Sequence, residues 1–589
     1  MKSFRYWLVL LMLIMPAGMY ARTCMYVKSQ EDFDALQSRI EQKIKDGEKS
    51  IYVYFSKGEY EASENQIKLV RLKAPNADIH IIGKKGATIV PKGAVYRNGD
   101  EYYGSFSVKS SWMNGQKDLN IWSHVKYADG IVELVDEAKK QCRLKTTDEL
   151  PWGEFDNAYI LIPAWYQSYI YKIDKIEKGY IYFTADDLKK SYRKGYNVNN
   201  DYNYAGSRIR YKLCNIEDGE NHIKVINGKV KLPNGVSEAR EGRVHNVIYV
   251  KECKLNALEI KGLSFRGNEY GKYSALVRFE NNNCNRIDIK ECSFYGIKSN
   301  VVEIISSSNV SICENSFSEC YNSGITADNK SANVTLNSNR FNAMGRLMLA
   351  SSCISCSGEN YQVTNNIMTD FGYCGVSVGI CYGTKQEEPS CGVVENNRMY
   401  YTDSYIADID NNAIMDGGAI YVGTKNTEAI IRNNVIQNYT GLKDNRGIFC
   451  DDGTFGVQIY GNYIMGIQNS YSIDCRRVKS VEQSQYPQSG IERANINNVI
   501  RDNIVNAPIR FEGHEDADNG CYKGSNVYLN NNENALVQTK YNHVKTDAED
   551  VMIENGRATE QKVEVSKTDY DVLRRSANWN QIKRFVKRK

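Results

Sequence analysis

The sequence lacks an excess of either charge and has no long apolar run after its N-terminal start. Its 75 Lys and Arg face 71 Asp and Glu, which gives a formal net charge of +4 over 589 residues. A chain this close to neutrality lacks the basic footprint of a nucleic-acid-binding protein, so we expect no nucleic-acid partner. No later segment is apolar enough to cross a bilayer, so we expect no membrane span.

Metal-binding patterns are scarce as well. The chain has 6 histidines, and Cys353 and Cys356 form a single C-x-x-C without a second pair at metal-site spacing. A structural zinc site takes four such ligands. We therefore expect no metal and no cofactor.

Residues 1–21 have the features of a secretory signal peptide. Lys2 and Arg5 form a charged start, and the apolar run at 7–15 is too short to span a bilayer comfortably. Cys24 invites a lipoprotein interpretation, but the residues before it make a poor lipidation signal. We predict that this segment is removed and that the protein is secreted or periplasmic.

What the sequence does contain is an irregular repeat from about Leu263 to Leu529. Each unit is a short strand, then Asn or an equivalent, then two residues of which the second is large and apolar, as at 310–317 and 334–341. The asparagines form one column with spacings of 24, 27, 31, 37, 28 and 41 residues: Asn315, Asn339, Asn366, Asn397, Asn434, Asn462 and Asn503.

Period-2 strands with a fixed turn residue predict an all-β right-handed parallel β-helix, a solenoid in which each coil buries its inner face against the next. Asn suits the turn because it tolerates the left-handed backbone region and its amide can stack from coil to coil. The later, longer spacings must leave the solenoid as loops, and such loops usually build a binding face.

The chain divides into five parts. After the signal peptide, residues 22–95 form the N-terminal cap and the first coils, with a helix predicted from Glu31 to Lys45. Residues 96–240 break the repeat and predict an inserted β-rich domain. Residues 241–540 form the main β-helix with its cleft, and residues 541–589 form a C-terminal cap or tail.

Many of the 16 cysteines fall inside the strand repeats, where a small apolar side chain can face the coil interior. These are expected to be buried thiols: Cys253, Cys292, Cys313, Cys450 and Cys475. Cys374, Cys381 and Cys391 lie in loop-rich sequence and are better candidates for disulfides.

Aligning the strands that follow each turn places a set of polar and aromatic residues on the outer face. If the aligned Ile or Val points inward, the next residue points outward. That position is occupied by Thr326, Ser377, Tyr421, Phe449 and Asp474. Two residues further on, the outward position is occupied by Asp328, Gly379, Gly423, Asp451 and Arg476. A cluster of acids, aromatics and arginine is what a sugar-binding cleft needs, and we predict that Tyr421, Phe449, Asp474 and Arg476 bind substrate.

Two segments on successive coils carry the candidate chemistry. One is Met-Asp-Gly-Gly-Ala-Ile-Tyr at 415–421, and the other is Gly-Ile-Phe-Cys-Asp-Asp-Gly at 447–453. Carboxylates on neighbouring coils can lie roughly 5–9 Å apart, which is the span for glycosidic-bond cleavage by paired acids. We predict Asp416 and Asp452 as the essential pair, with Asp451 assisting. The alternative is that Asp-Gly and Asp-Asp-Gly are only turns.

These motifs resemble those of β-helical glycoside hydrolases in the pectate-lyase-like superfamily, which include β-xylosidases and α-L-fucosidase or xylanase relatives. Segments at 208–218 and 228–233 are similar to one that these enzymes carry before the main coils, although 220–225 departs from their usual Gly-Glu-Trp-Tyr element. The resemblance implies catalytic carboxylates at Asp416 and at the pair 451–452, without fixing which acid has which role.

The function predicted from these features is an exported glycoside hydrolase that acts on a polysaccharide or oligosaccharide, as a monomer. Two alternatives stay open. A polysaccharide lyase on the same scaffold would use a basic residue such as Arg476, Arg477 or Lys479, with Ca²⁺ held by acids. A non-catalytic surface or carbohydrate-binding β-helix is the second, because the fold alone does not separate these functions.

Overall fold

The computed structural model describes most of the solenoid and the strands of the segment inserted into it. The described residues are 22–91, 95–98, 101–110, 128–136, 138–139, 141–146, 158–164, 167–184, 208–215, 223–230, 236–239, 244–268, 274–345, 351–379, 390–403, 405, 417–423, 427–439, 445–451, 453–468, 470–476, 497–511, 522–524, 526–529, 551–553, 563–565 and 586–588.

Three long parallel sheets, named A, B and C here, form the solenoid. Sheet A has 13 strands in the order Thr23–Val27, Ser50–Phe55, Lys73–Gly83, Lys254–Lys261, Arg286–Lys290, Ser308–Cys313, Ala332–Asn337, Glu359–Thr364, Ser390–Glu395, Thr427–Arg432, Gln458–Tyr460, Val499–Arg501 and Tyr522–Gly524. Sheet B has 13 strands in the order Gly58–Ala62, Ala87–Pro91, Ser264–Arg266, Ser293–Tyr295, Ser316–Ser318, Arg340–Met344, Ile367–Phe371, Arg398–Tyr400, Val435–Gln437, Tyr463–Met465, Ile504–Val505, Val527–Leu529 and Val551–Ile553. Sheet C has 11 strands in the order Ile67–Val70, Ile248–Lys251, Ala275–Glu280, Asn300–Ile305, Ile325–Ala327, Ser352–Cys356, Cys374–Val378, Gly418–Gly423, Arg446–Asp451, Ile473–Cys475 and Ile509–Phe511.

The chain visits sheets A, B and C in turn, and each strand pairs with the equivalent strand of the next coil. The predicted parallel β-helix is therefore confirmed. Alternate side chains of each strand point into the coil, where one continuous apolar core runs along the solenoid. Four of its phenylalanines stack on successive coils of sheet B, with ring centroids 4.6–5.1 Å apart: Phe265, Phe294, Phe317 and Phe341.

The predicted asparagine column is a buried hydrogen-bonded ladder between sheets A and B. At each step the backbone N–H and the side-chain amide donate to the Oδ1 of the next asparagine at 2.9–3.1 Å. The ladder continues one step beyond the prediction, because Asn503 donates in the same way to Asn526.

The expectation that these asparagines adopt the left-handed backbone region is wrong. The left-handed residue is the one before each ladder asparagine, and its identity varies. The series is Glu314, Ser338, Asn365, Asn396, Asn433, Gly461 and Asp502, with φ between 55° and 65°. Asparagine is needed at the following position for its amide, which satisfies backbone groups that the turn leaves unpaired in the interior.

The N-terminal cap begins with a strand that the sequence did not indicate. Thr23–Val27 pairs in parallel with Ser50–Phe55. The predicted helix consists of two helices, Gln30–Asp34 and Leu36–Lys45, that meet at Ala35. Their fully buried residues Phe33, Leu36 and Ile40 belong to the solenoid core. These helices thus supply apolar side chains to the core at the start of the stack.

An inserted set of antiparallel strands interrupts one coil between its sheet B strand Ala87–Pro91 and its sheet C strand Ile248–Lys251. Six of them close a barrel in the order Gln141–Thr146, Tyr180–Thr184, Gln167–Glu177, Ala158–Ala164, Arg208–Asn215 and Ala128–Asp136. A separate sheet contains Val95–Asn98, Glu101–Ser110, Ile223–Val230 and Val236–Ala239. Near the C-terminus, Val563–Val565 pairs in parallel with Val586–Arg588. None of the helices in the described part of the chain is both long and apolar enough to span a membrane.

The cysteines of the described residues carry free thiols. Cys253, Cys292, Cys450 and Cys475 are buried, whereas Cys313 is half-buried. Neither Cys374 nor Cys391 forms a disulfide, so that expectation is wrong for these two, and Cys374 begins a strand of sheet C. Cys381 lies outside the described residues.

Candidate functional site

The outer face of sheet C brings together most of the described candidate residues. Tyr421 pairs in register with Phe449, and Phe449 pairs with Asp474. We call the residues of sheet C that lie in register with Tyr421 the outward series. It contains two residues that the sequence alignment missed. Ser355 lies on a coil between Thr326 and Ser377, and Arg510 follows Asp474.

Tyr421 holds the carboxylate of Asp451. The Tyr421 hydroxyl donates to Oδ2 of Asp451 at 2.9 Å, and the exposed fractions of the two residues are 3% and 4%. Asp451 is opposite Gly423 on the preceding strand, a position without a side chain. The phenol of one coil can therefore reach across to the carboxylate of the next and fix its orientation.

Phe449 belongs to a small apolar cluster outside the solenoid core, together with Cys374 and Tyr421. Its ring meets the Tyr421 ring edge-on with centroids 5.5 Å apart, and the Arg446 guanidinium lies over it at 4.0 Å from the centroid. Phe449 has no exposed surface. A sugar could stack on this ring only if the groups that cover it moved, and substrate contact by Phe449 stays a prediction.

Asp474 is the centre of a buried ion cluster. Its Oδ2 accepts from Arg446 Nε at 2.9 Å, and Arg510 donates to Oδ1 at 2.7 Å and to Oδ2 at 2.5 Å. Asp474 has no exposed surface and Arg446 is 2% exposed. Because both oxygens of this carboxylate are already engaged, Asp474 acts on the outer face by positioning the two arginines.

Arg476 directly follows the strand Ile473–Cys475 that holds Asp474, and it is half-buried. Its backbone N–H donates to the carbonyl of Cys450 at 2.9 Å, and its own carbonyl accepts from Gly453 at 2.9 Å. Gly453 has a φ of +78°, which glycine adopts without strain. The last residue of the Asp-Asp-Gly motif therefore needs a backbone conformation that favours glycine.

Asp416 and Asp452, the predicted essential pair, lie outside the described residues. Their described neighbours explain why glycines follow Asp416. A Cβ on Gly418 would lie 2.7 Å from the carbonyl oxygen of Ile420 and 2.9 Å from the Cβ of Phe449, and one on Gly417 would lie 2.9 Å from the Tyr439 hydroxyl. Close packing thus accounts for both glycines and assigns no role to Asp416.

The strand register limits how the candidate acids can pair. Gly418 is opposite Arg446 at the start of the two strands, and Gly423 is opposite Asp451 at their end. The glycines of the first motif therefore lie at the start of one strand, whereas Asp451 of the second motif lies at the end of the next. From Gly417 to Gly423 the extended chain covers about 20 Å. Gly417 and Asp451 therefore lie about one strand length apart.

The outer face also carries a carboxyl group that the sequence did not single out. Glu303 is one coil before Thr326 in the outward series and forms an ion pair with Arg278 NH1 at 3.2 Å. Burial raises the pKa of Glu303, and Asp328 and Glu280 add to the effect against the opposing charge of Arg278. Register alone could have indicated this residue, because it shares the column of Tyr421.

Among the described residues, no group of three or more His, Cys, Asp or Glu side chains is arranged to hold a metal ion. Cys353 and Cys356 are both buried in one strand of sheet C, and burial raises the pKa of the Cys356 thiol to about 12. A thiol that holds its proton so strongly is a poor metal ligand.

Comparison with known proteins gives structural likeness only. No family model matches the sequence, and no curated protein matches it. A solved glycoside hydrolase is similar over 76% of this chain and 97% of its own, at 10% identity and a TM-score of 0.45. The A-module of a mannuronan C-5 epimerase from Azotobacter vinelandii is similar over 53% of this chain and 83% of its own, at 11% identity and a TM-score of 0.25. A GH87 alpha-1,3-glucanase from Streptomyces thermodiastaticus is similar over 79% of this chain and 99% of its own, at 9% identity and a TM-score of 0.22. Likenesses this distant assign no reaction to this chain.

Proposed function

We propose that this protein is an exported glycoside hydrolase that cleaves a polysaccharide or oligosaccharide with carboxylates on the outer face of sheet C. The observation that carries the proposal is the pair Tyr421 and Asp451. A tyrosine on one coil fixes a buried carboxylate on the next, beside aromatic residues and at the strand end that carries the Asp-Asp-Gly motif.

In the proposed reaction, one acid of the pair Asp416 and Asp452 protonates the glycosidic oxygen as the bond to the anomeric carbon breaks. The other takes a proton from the attacking water. Asp451, held by Tyr421, assists by orienting the neighbouring carboxylate. A separation of about 6.5–9.5 Å between the two carboxyl groups would leave room for the water and give inversion of configuration, whereas about 5 Å would give retention.

The test is hydrolysis of a panel of aryl glycosides and polysaccharides by the purified protein and three variants. Asp416→Asn and Asp452→Asn are each expected to lower turnover at least ~10²-fold, and Asp451→Asn is expected to lower it less. Asp370→Asn is the control, because Asp370 lies on sheet B and binds Thr402 of the next coil. Proton NMR of the first product then reports whether the anomer is inverted.

Full activity of Asp416→Asn would remove that residue from the mechanism. A dead Asp451→Asn with an active Asp452→Asn would reverse the assignment within the pair. Unsaturated products that absorb near 235 nm would indicate a lyase. Absence of any cleavage, with retained binding, would indicate a carbohydrate-binding protein.

A further inference from the structure

The segment 371–373, which leads into a strand of sheet C, is held by tyrosines of the following coils. Each of its three carbonyl groups accepts a hydrogen bond from a tyrosine hydroxyl at 2.7–3.2 Å: Phe371 from Tyr401 and Tyr405, Gly372 from Tyr401, and Tyr373 from Tyr439. The rings of Tyr401 and Tyr439 also pack on each other with centroids 5.0 Å apart. These contacts fix the backbone at the corner between sheets B and C.

The bond from Tyr439 to Tyr373 spans two coils, and Gly417 lies on the coil between them. A Cβ on Gly417 would lie 2.9 Å from the Tyr439 hydroxyl and 3.0 Å from the carbonyl oxygen of Tyr373, the two ends of this bond. The backbone of Gly417 therefore packs directly on the bond. Tyr439 is 1% exposed, and burial raises its pKa, so its hydroxyl keeps the proton that it donates.

Gly417 is also held by the next coil. Its carbonyl accepts from the backbone N–H of Arg446 at 3.0 Å, and the Arg446 guanidinium is itself anchored by Asp474 at 2.9 Å. Gly417 is thus restrained on two sides. The residue before it is Asp416, whose Cα is only about 3.8 Å away along the chain. A restraint on Gly417 therefore limits the position of the Asp416 backbone.

We propose that Tyr439 is a positioning residue for Asp416, acting through the backbone of Gly417. This inference rests on the proposed function for the catalytic role of Asp416. It adds a residue of the solenoid core, outside the outward series, on which turnover depends. Displacement of a catalytic group by about 1 Å is enough to slow a reaction substantially, so a hydroxyl that never touches substrate can affect the rate.

The test compares Tyr439→Phe with Tyr60→Phe in the purified protein. Tyr60 is 2% exposed, and its hydroxyl donates to the carbonyls of Val27 and Ser56 at 3.0 Å in the N-terminal cap. Each variant loses one buried hydroxyl, so we expect similar decreases in melting temperature. Turnover should fall about fivefold in Tyr439→Phe, the factor expected for one lost hydrogen bond, and stay unchanged in Tyr60→Phe.

Two further measurements separate positioning from a general loss of structure. Tyr439→Phe is also made in Asp416→Asn, where it should not lower the residual turnover further, because the residue through which it acts is already removed. Hydrogen–deuterium exchange of the peptide that contains Gly417 reports the contact without activity. Exchange there should rise in Tyr439→Phe and not in Tyr60→Phe.

The outcomes distinguish this inference from the proposed function. Unchanged turnover of Tyr439→Phe beside an inactive Asp416→Asn would overturn the inference and keep the proposed function. An equal loss of turnover in both Asp416 backgrounds, or unchanged exchange at Gly417, would overturn the inference as well. Full turnover of Asp416→Asn, or cleavage of none of the glycans, would refute the proposed function and, with it, the catalytic role of Tyr439.

Discussion

On the outer face of sheet C, the buried carboxylate of Asp474 neutralises the guanidinium groups of Arg446 and Arg510. Replacing it by Asn keeps the shape but leaves Arg446 and Arg510 without their shared carboxylate. Removing one partner of a buried ion pair costs about 3–5 kcal/mol, since the remaining charge is left desolvated. We expect Asp474→Asn to lower the free energy of unfolding by this amount, measured by urea denaturation.

Glu252→Gln is the matched control for that measurement. Its ion pair with Arg71 has a similar length of 2.8 Å, but the Arg71 side chain is 74% exposed. Exposed pairs contribute at most about 1 kcal/mol. An equal loss of stability in the two variants would show that burial of Asp474 has no energetic consequence.

Glu303 and Glu259 should respond to pH in opposite directions. Burial raises the pKa of Glu303. Burial also disfavours ionisation of Glu259, but hydrogen bonds from Lys290 and His80 outweigh it and lower its pKa. Ionised Glu303 therefore destabilises the folded state as pH rises through about 4.3, the pKa of an unperturbed glutamate. Ionised Glu259 contributes stability above that pH, and this stability is lost as pH falls through its lowered pKa.

The measurement compares the melting temperatures of Glu303→Gln and Glu259→Gln with that of the unchanged protein at about pH 3 and about pH 7. The melting temperature of the variant minus that of the unchanged protein should increase with pH for Glu303→Gln. For Glu259→Gln the same difference should decrease with pH. Parallel behaviour of the two variants would contradict the assigned directions.

At the scale of elements, the asparagine ladder links one coil to the next. Asn397 donates to Val363 O at 2.8 Å and to Asn434 Oδ1 at 3.0 Å, and its Oδ1 accepts from both nitrogens of Asn366. Asn397→Ala leaves several of these buried groups unpaired, so we expect a loss of about 3 kcal/mol in the free energy of unfolding. Chemical denaturation measures it.

Asn285→Ala supplies the comparison. Asn285 also donates to an asparagine of the neighbouring coil, Asn256, at 3.1 Å, but that pair is exposed. Water replaces the lost bond there, so the expected cost is about 0.5 kcal/mol or less. If both variants lost the same free energy of unfolding, the buried ladder would stabilise the fold no more than an exposed asparagine pair does.

The ladder was predictable because its asparagines meet a strict requirement at a fixed position before each strand of sheet B. The strand Ser352–Cys356 could not be predicted from the sequence, since it has serines and cysteines where other coils have aliphatic residues. The left-handed residue before each asparagine was missed for a different reason. The residue type at that position changes from coil to coil, so no single residue marks the positive φ in the sequence.

At the scale of the whole molecule, the sequence indicated which coils carry the candidate site but not how its members meet. Adjacent coils suggested adjacent carboxylates, whereas register along the strands separates Gly418 from Asp451 by the full strand length. The pairing of Asp474 with Arg510 joins residues 36 positions apart. Such a contact depends on loop lengths between coils, which leave no pattern in the sequence.

The inserted segment has a consequence for the order in which the chain acquires structure. Ile67–Val70 is the first strand of sheet C, and its partner is Ile248–Lys251, with Arg71 and Glu252 separated by 181 residues. At about 5–20 residues per second of synthesis, this strand waits roughly 10–40 s for its partner to emerge. The barrel strands appear during that interval and can close among themselves. Only after them does the solenoid resume, and each later coil docks on one that is already complete.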